Sequence, residues 1–202
     1  MRAYLTEFIG TFFLVLVIAL SGNPLAIGAV LTALVYTGGY ISGAHYNPAV
    51  TLALWQSKKV DAKKALRYMF CQLLGSLAAV AVFFVVSGNK FVPKPGANVN
   101  FATATLVELL FTFALASAVL HTAATDKTKG NNYYGLAIGL TLAAGIFAGG
   151  SISGGVYNPA VGVGSILFDF GNLSVNLNNL VIYLVGPFTG GLLASLVYQQ
   201  KD

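Results

Sequence analysis

Charge is what this sequence most lacks. Among 202 residues, Lys and Arg number 11 and Asp and Glu six, so charged side chains make up 8%, against about 25% in an ordinary soluble domain. Such a chain cannot cover a water-facing globule with polar groups, and with 56% hydrophobic residues it belongs in a lipid bilayer. The lone cysteine, Cys71, excludes an intrachain disulfide. No nucleophile–base pair and no metal-ligand cluster stands out, so no enzymatic activity, cofactor or metal is expected. The net charge of +5 invites a nucleic-acid reading, but the positions of the cations mark membrane topology instead, and no nucleic-acid partner is expected.

What is present is apolar length. Six stretches can each cross the hydrocarbon, which takes roughly 17–25 residues of helix; they lie near 4–21, 25–41, 64–86, 102–121, 133–150 and 179–199. The first follows Met1-Arg2-Ala3-Tyr4 with no small-residue cleavage site, which reads as a retained span rather than a signal peptide. In a six-span arrangement Arg2, Lys58, Lys59, Lys63, Lys64, Arg67, Lys127, Lys129 and Lys201 share one side, and only Lys90 and Lys94 face the other. The positive-inside rule puts both termini in the cytoplasm.

One motif occurs twice. Ser42-Gly43-Ala44-His45-Tyr46-Asn47-Pro48-Ala49-Val50 returns 111 residues later as Ser153-Gly154-Gly155-Val156-Tyr157-Asn158-Pro159-Ala160-Val161. An asparagine followed by proline is an N-cap and a first-turn residue, so each copy starts a helix. The stretches that follow, 47–56 and 158–167, are apolar but too short to span. They read as re-entrant half-helices, tolerated at membrane depth only where protein or a water path surrounds them.

The repetition extends further. Glu7-Phe8-Ile9-Gly10-Thr11-Phe12 is echoed by Glu108-Leu109-Leu110-Phe111-Thr112-Phe113, and Gln72-Leu73-Leu74-Gly75 more loosely by Gly186-Pro187-Phe188-Thr189-Gly190. Residues 1–101 and 102–202 are then two repeats of three spans and one half-helix each. Because three is odd, the second repeat enters from the opposite face, and the half-helices approach each other from opposite sides. The expected fold is all-α: six transmembrane helices plus two re-entrant half-helices in an inverted repeat.

The two Asn-Pro-Ala boxes, the Ser-Gly-Ala-His run before the first and the Glu-Phe-Ile-Gly-Thr-Phe opening together resemble the aquaporins of the major intrinsic protein family, across essentially the whole chain. The resemblance implies a pore in each protomer, a homotetramer, and passage of water or small neutral solutes. It also implies that Glu7 and Glu108 hold the re-entrant loops through backbone N–H groups; His45 either braces the first loop or reaches the pore. The bottom-up chemistry of the boxes agrees. Two helix N-termini, each carrying about half a positive charge, would meet at mid-membrane beside Asn47 and Asn158. A cation faces a barrier there, and a water wire is broken because the central molecule must accept hydrogen bonds from both sides.

The sequence departs from that family at the expected extracellular filter. The position after the second box, usually Arg, is Val161. Ungapped spacing places Ile27, Ile146 and Gly155 at the other three positions, so the filter has no charge, aromatic ring or imidazole. Losing arginine removes five fixed donors and a permanent cation. Lys90 or Lys94, in the connection after the third span, could fold in and restore a charge. Gly162 replaces the aspartate usual in glycerol channels, and Tyr183-Leu184 fits neither the water nor the glycerol pattern of the sixth span. Two rival readings remain at this point: an inverted-repeat transporter coupled to ions or protons, which would need Glu7 or Glu108 in its lumen, and a non-conducting junction or scaffold protein.

Overall fold

The computed structural model describes residues 1–199, and these form eight α-helices: α1 (Arg2–Ser21), α2 (Pro24–Ser42), α3 (Pro48–Gln56), α4 (Ala62–Ser87), α5 (Phe101–Thr122), α6 (Tyr134–Ser153), α7 (Pro159–Phe168) and α8 (Leu173–Gln199). Six are long and apolar enough to cross a bilayer, while α3 and α7 have only nine and ten residues. Lys201, counted above among the cytoplasmic cations, lies outside the described residues.

Side-chain caps set where the helices start. Asn23 accepts from the backbone N–H groups of Leu25 and Ala26, with Pro24 at the first helical position. Asp61 and Asn100 each accept from the N–H three residues on, at 2.9 and 2.8 Å. Gly43 and Gly154 end α2 and α6 with φ of 95° and 99°, a left-handed conformation that a Cβ would disfavour. These two turns throw the chain back into the re-entrant loops. Two bounds differ from the sequence reading by three residues or more. α6 runs three residues further, to the Gly154 cap, and α8 begins six residues earlier, because its first turns carry Asn176, Asn178 and Asn179 and fall below an apolar threshold although they are helical.

The packing pairs α1 with α4, α5 with α8, and α2 with α6. Each half-helix lies against the long helices of both halves, α3 on α8 and α4, α7 on α4 and α8, and the two touch each other. Small residues make the close approaches. A Cβ on Gly28 would come within 2.6 Å of the Gly139 carbonyl oxygen, and one on Gly186 within 2.7 Å of the Glu108 Cβ. Gly135, Gly139, Gly145 and Gly149 all meet residues of this same chain, as do Gly186 and Gly190, so close helix approach within the protomer accounts for them. Large apolar side chains such as Phe13, Phe70, Val85, Phe147 and Leu196 are left exposed on the outside, as a lipid-facing surface requires.

Candidate functional site

The re-entrant loops are held by two buried carboxylates in matching ways. Glu7 Oε1 accepts from the Ser42 hydroxyl at 2.6 Å and the His45 N–H at 3.0 Å, and Oε2 from the Tyr46 N–H and Gln72 Nε2, both at 2.8 Å. Glu108 accepts from the Ser153 hydroxyl at 2.7 Å, the Val156 N–H at 2.9 Å and the Tyr157 N–H at 2.6 Å. Both are fully buried. The Tyr68 and Tyr183 hydroxyls donate to the Ser42 and Ser153 carbonyls, each at 2.8 Å. Tyr183, which matched no substrate pattern in the sequence, is therefore the second loop's counterpart of Tyr68. Among the donors to the two carboxylates the symmetry fails at Gln72, which has no equivalent because Pro187 inside α8 occupies that part of the echoed segment.

These anchors aim the loops. Tyr46 and Tyr157 sit at φ of 49° and 48°, a left-handed conformation that non-glycine residues rarely adopt. Their carbonyls meet the opposite asparagine: Asn47 Nδ2 donates to the Tyr157 oxygen at 2.8 Å, and Asn158 Nδ2 to the Tyr46 oxygen at 2.9 Å. Each Oδ1 meanwhile caps its own helix, accepting from the Ala49 and Ala160 N–H groups. The N-termini of α3 and α7 are thus locked head to head. One amide hydrogen remains on each asparagine, since each NH₂ has two. Pro48, Ala49, Pro159 and Ala160 are buried in the first turns behind them.

A narrow cavity of about 20 Å³ lies at this junction, lined by Asn47, Asn158 and His45 among apolar side chains such as Leu14, Leu115 and Leu142. That is room for roughly one water molecule. His45 also braces its loop. The Thr51 hydroxyl donates to the Asn47 carbonyl at 2.9 Å, so it accepts from His45 Nδ1 at 3.1 Å and from Gln72 Nε2 at 3.0 Å.

The narrow cavity continues both ways. Through Ile18, Ile146, Gly155 and Val156 it shares walls with a chamber of about 260 Å³. That chamber brings Ile27, Ile146, Gly155 and Val161 together, with Phe91, Pro93 and Lys94 of the α4–α5 connection. Through Ala44, Val119 and Ile138 it shares walls with a vestibule of about 430 Å³ at the other end, beside Asp126 and Lys129. Sequence reasoning missed the apolar walls. Below the filter position Ile146, the spacing of four in Ile138 and Leu142 carries no contrast on helices that are apolar on every side.

The α4–α5 connection is fastened to the mouth. Lys90 Nζ lies 2.7 Å from Asp169 Oδ1, and Asn172 and Asn176 also donate to this carboxylate. The Gly96 N–H donates to the Ile152 carbonyl at 3.0 Å. The hydrogen bond from Lys90, then that from Asn172, holds the Asp169 carboxyl below the usual carboxylate range. A depressed carboxylate contributes fully above its ordinary value and loses its contribution as pH falls through the lowered one. The fastening is therefore expected to survive mild acid and loosen only below the ordinary carboxylate range. Hydrogen-exchange protection of Gly96, followed against pH, checks this, and Asp169→Asn should abolish the acid step.

Six spans and two half-helices locked head to head across a narrow central path define a membrane protein built around that path. A profile of the major intrinsic proteins matches residues 1–198, and the chain belongs to that family. It is 36% identical to glycerol uptake facilitator protein-like 6 of Lactiplantibacillus plantarum, over 96% of this chain and 95% of that protein. It is 35% identical to aquaporin AqpM of Methanothermobacter thermautotrophicus, again over 96% and 95%. An aquaglyceroporin from Plasmodium falciparum has the same fold, with a TM-score of 0.85 at 24% identity over 98% of this chain and 95% of that one.

Proposed function

We propose that this chain is a passive channel for water and small uncharged solutes of the size of glycerol and urea, excluding ions and protons where α3 and α7 meet. The observation that carries the reading is the reciprocal pair of Asn47 and Asn158 hydrogen bonds, which sets two helix N-termini on one cavity of about 20 Å³. Each terminus contributes about half a positive charge, and the apolar walls screen it poorly. A passing water accepts from the two free amide hydrogens, gives up its bonds to neighbouring waters, and cannot relay a proton. Asn47 and Asn158 form the constriction, with Pro48, Ala49, Pro159 and Ala160 fixing their helix ends. Ile27, Ile146, Gly155 and Val161 form the outer filter. Glu7, Glu108 and His45 brace the loops.

The topology follows from charge. Arg2, Lys58, Lys59, Lys63, Lys64, Arg67, Lys127 and Lys129 mark the cytoplasmic side, which makes the Lys94 mouth extracellular and both termini cytoplasmic. Residues 1–101 and 102–202 serve as the two inverted repeats, and the family resemblance supports a homotetramer with one pore per protomer. A coupled transporter would need the Glu7 or Glu108 carboxylate in the path. Glu7 and Glu108 instead spend their oxygens on loop donors and line none of the three cavities.

Stopped-flow light scattering of proteoliposomes tests the substrate range. Hyperosmotic shock should give fast shrinkage followed by re-swelling in glycerol or urea, faster than in protein-free vesicles. Shrinkage without faster re-swelling would restrict the channel to water.

A further inference from the structure

The four filter positions offer neither a charge nor a ring, but the α4–α5 connection brings both to the same chamber. Phe91, Pro93 and Lys94 line it, and Lys94 is the only Lys, Arg, Asp or Glu among the residues lining this chamber or the central one. The segment is pinned on either side of Lys94, by Lys90 to Asp169 at 2.7 Å and by the Gly96 N–H to the Ile152 carbonyl at 3.0 Å. Its backbone runs against the second re-entrant loop, where a Cβ on Gly154 would come within 3.0 Å of the Lys94 oxygen. Phe91 is steadied edge-on by Phe83, with ring centroids 6.2 Å apart. Lys94 therefore stays at the mouth unless these contacts break.

We propose that this strap rebuilds the filter, with Lys94 supplying the cation and Phe91 the aromatic wall that Ile27, Ile146, Gly155 and Val161 lack. Asp169, at the same mouth, does not cancel the charge, because it is already paired with Lys90. An ammonium at the rim of an apolar ring does two things. It repels cations before they reach the central constriction, over a distance set by ionic strength. It also holds water and donates to hydroxyl and carbonyl oxygens of entering solutes, which opposes dewetting of the ring.

This assignment rests on the channel reading, and guanidinium, a cation of the size and shape of urea, separates the two. Water flux through proteoliposomes is measured with increasing guanidinium chloride at low ionic strength, each variant normalised to its own unblocked flux. In Lys94→Glu, half-block should require roughly tenfold less guanidinium than in wild type, as expected for reversing a charge within several ångströms of the mouth. Lys94→Gln should fall between them. The difference should shrink near 1 M salt, where the screening length is about 3 Å, and Phe91→Ala should raise glycerol flux relative to water. Equal half-blocking concentrations in wild type and Lys94→Glu would overturn the role of the strap while leaving the channel intact. A wild type with no flux above empty vesicles would overturn the channel reading, and the strap's role with it.

Discussion

Val161→Arg is expected to slow glycerol and urea through the protein at least tenfold while slowing water less. Val161 is 1% exposed, belongs to one buried apolar cluster with Tyr183 and Ile182, and lines the same chamber as Ile27, Ile146 and Gly155. A guanidinium on a longer stem must enter a space of about 260 Å³ that already holds Lys94 at its rim. With that space partly filled, a larger solute passes only by displacing side chains, at a cost on the order of the 1–3 kcal/mol of overpacking, and 1.4 kcal/mol is a factor of ten. The cost falls on solutes that need the full width. Re-swelling rates in glycerol and urea, set against the shrinkage rate of the same vesicles, give the comparison. Unchanged solute rates would remove position 161 from the filter.

The largest effect on stability is expected at Glu7. Glu7→Ala leaves the Ser42 hydroxyl, the His45 and Tyr46 N–H groups and the Gln72 amide without their acceptor, in a site closed to solvent. Each stranded donor costs about 1–3 kcal/mol, so this variant should yield little folded protein. Glu7→Gln keeps one acceptor oxygen and is the informative variant. It should lower the thermal unfolding midpoint in detergent, and lower it further than Glu108→Gln does, because Glu108 serves three donors and Glu7 four. The pH dependence of flux should be the same in the variant and wild type. A Glu7→Gln protein of unchanged stability whose flux has lost a pH dependence present in wild type would favour a coupled transporter.

The parts that were legible in the sequence are those where polar residues interrupt an apolar chain. Asn47 and Asn158 stood out because each pairs a capping side chain with proline, and Glu7 and Glu108 because a carboxylate inside a span demands partners. The six spans were legible from length alone, except where α8 opens with asparagines. Three features were not legible. The reciprocal bonds from Asn47 and Asn158 to the Tyr157 and Tyr46 carbonyls depend on left-handed tyrosines, a conformation that residue type does not signal. The path walls at Leu14, Ile138 and Leu142 look like any lipid-facing leucine or isoleucine. The sequence offered Lys90 or Lys94 as a residue that could fold in, but which of the two reaches the chamber was not legible, because it depends on a carboxylate 79 residues from Lys90.

The central claim is that solute moves passively past Asn47 and Asn158 while protons do not. Proteoliposomes loaded with a pH-sensitive dye test it by recording volume and internal pH together after an osmotic shock across a pH gradient. Volume is expected to relax faster than in protein-free vesicles while internal pH holds at the protein-free rate. Proton entry that accelerates with the protein, or volume relaxation no faster than in empty vesicles, would contradict it.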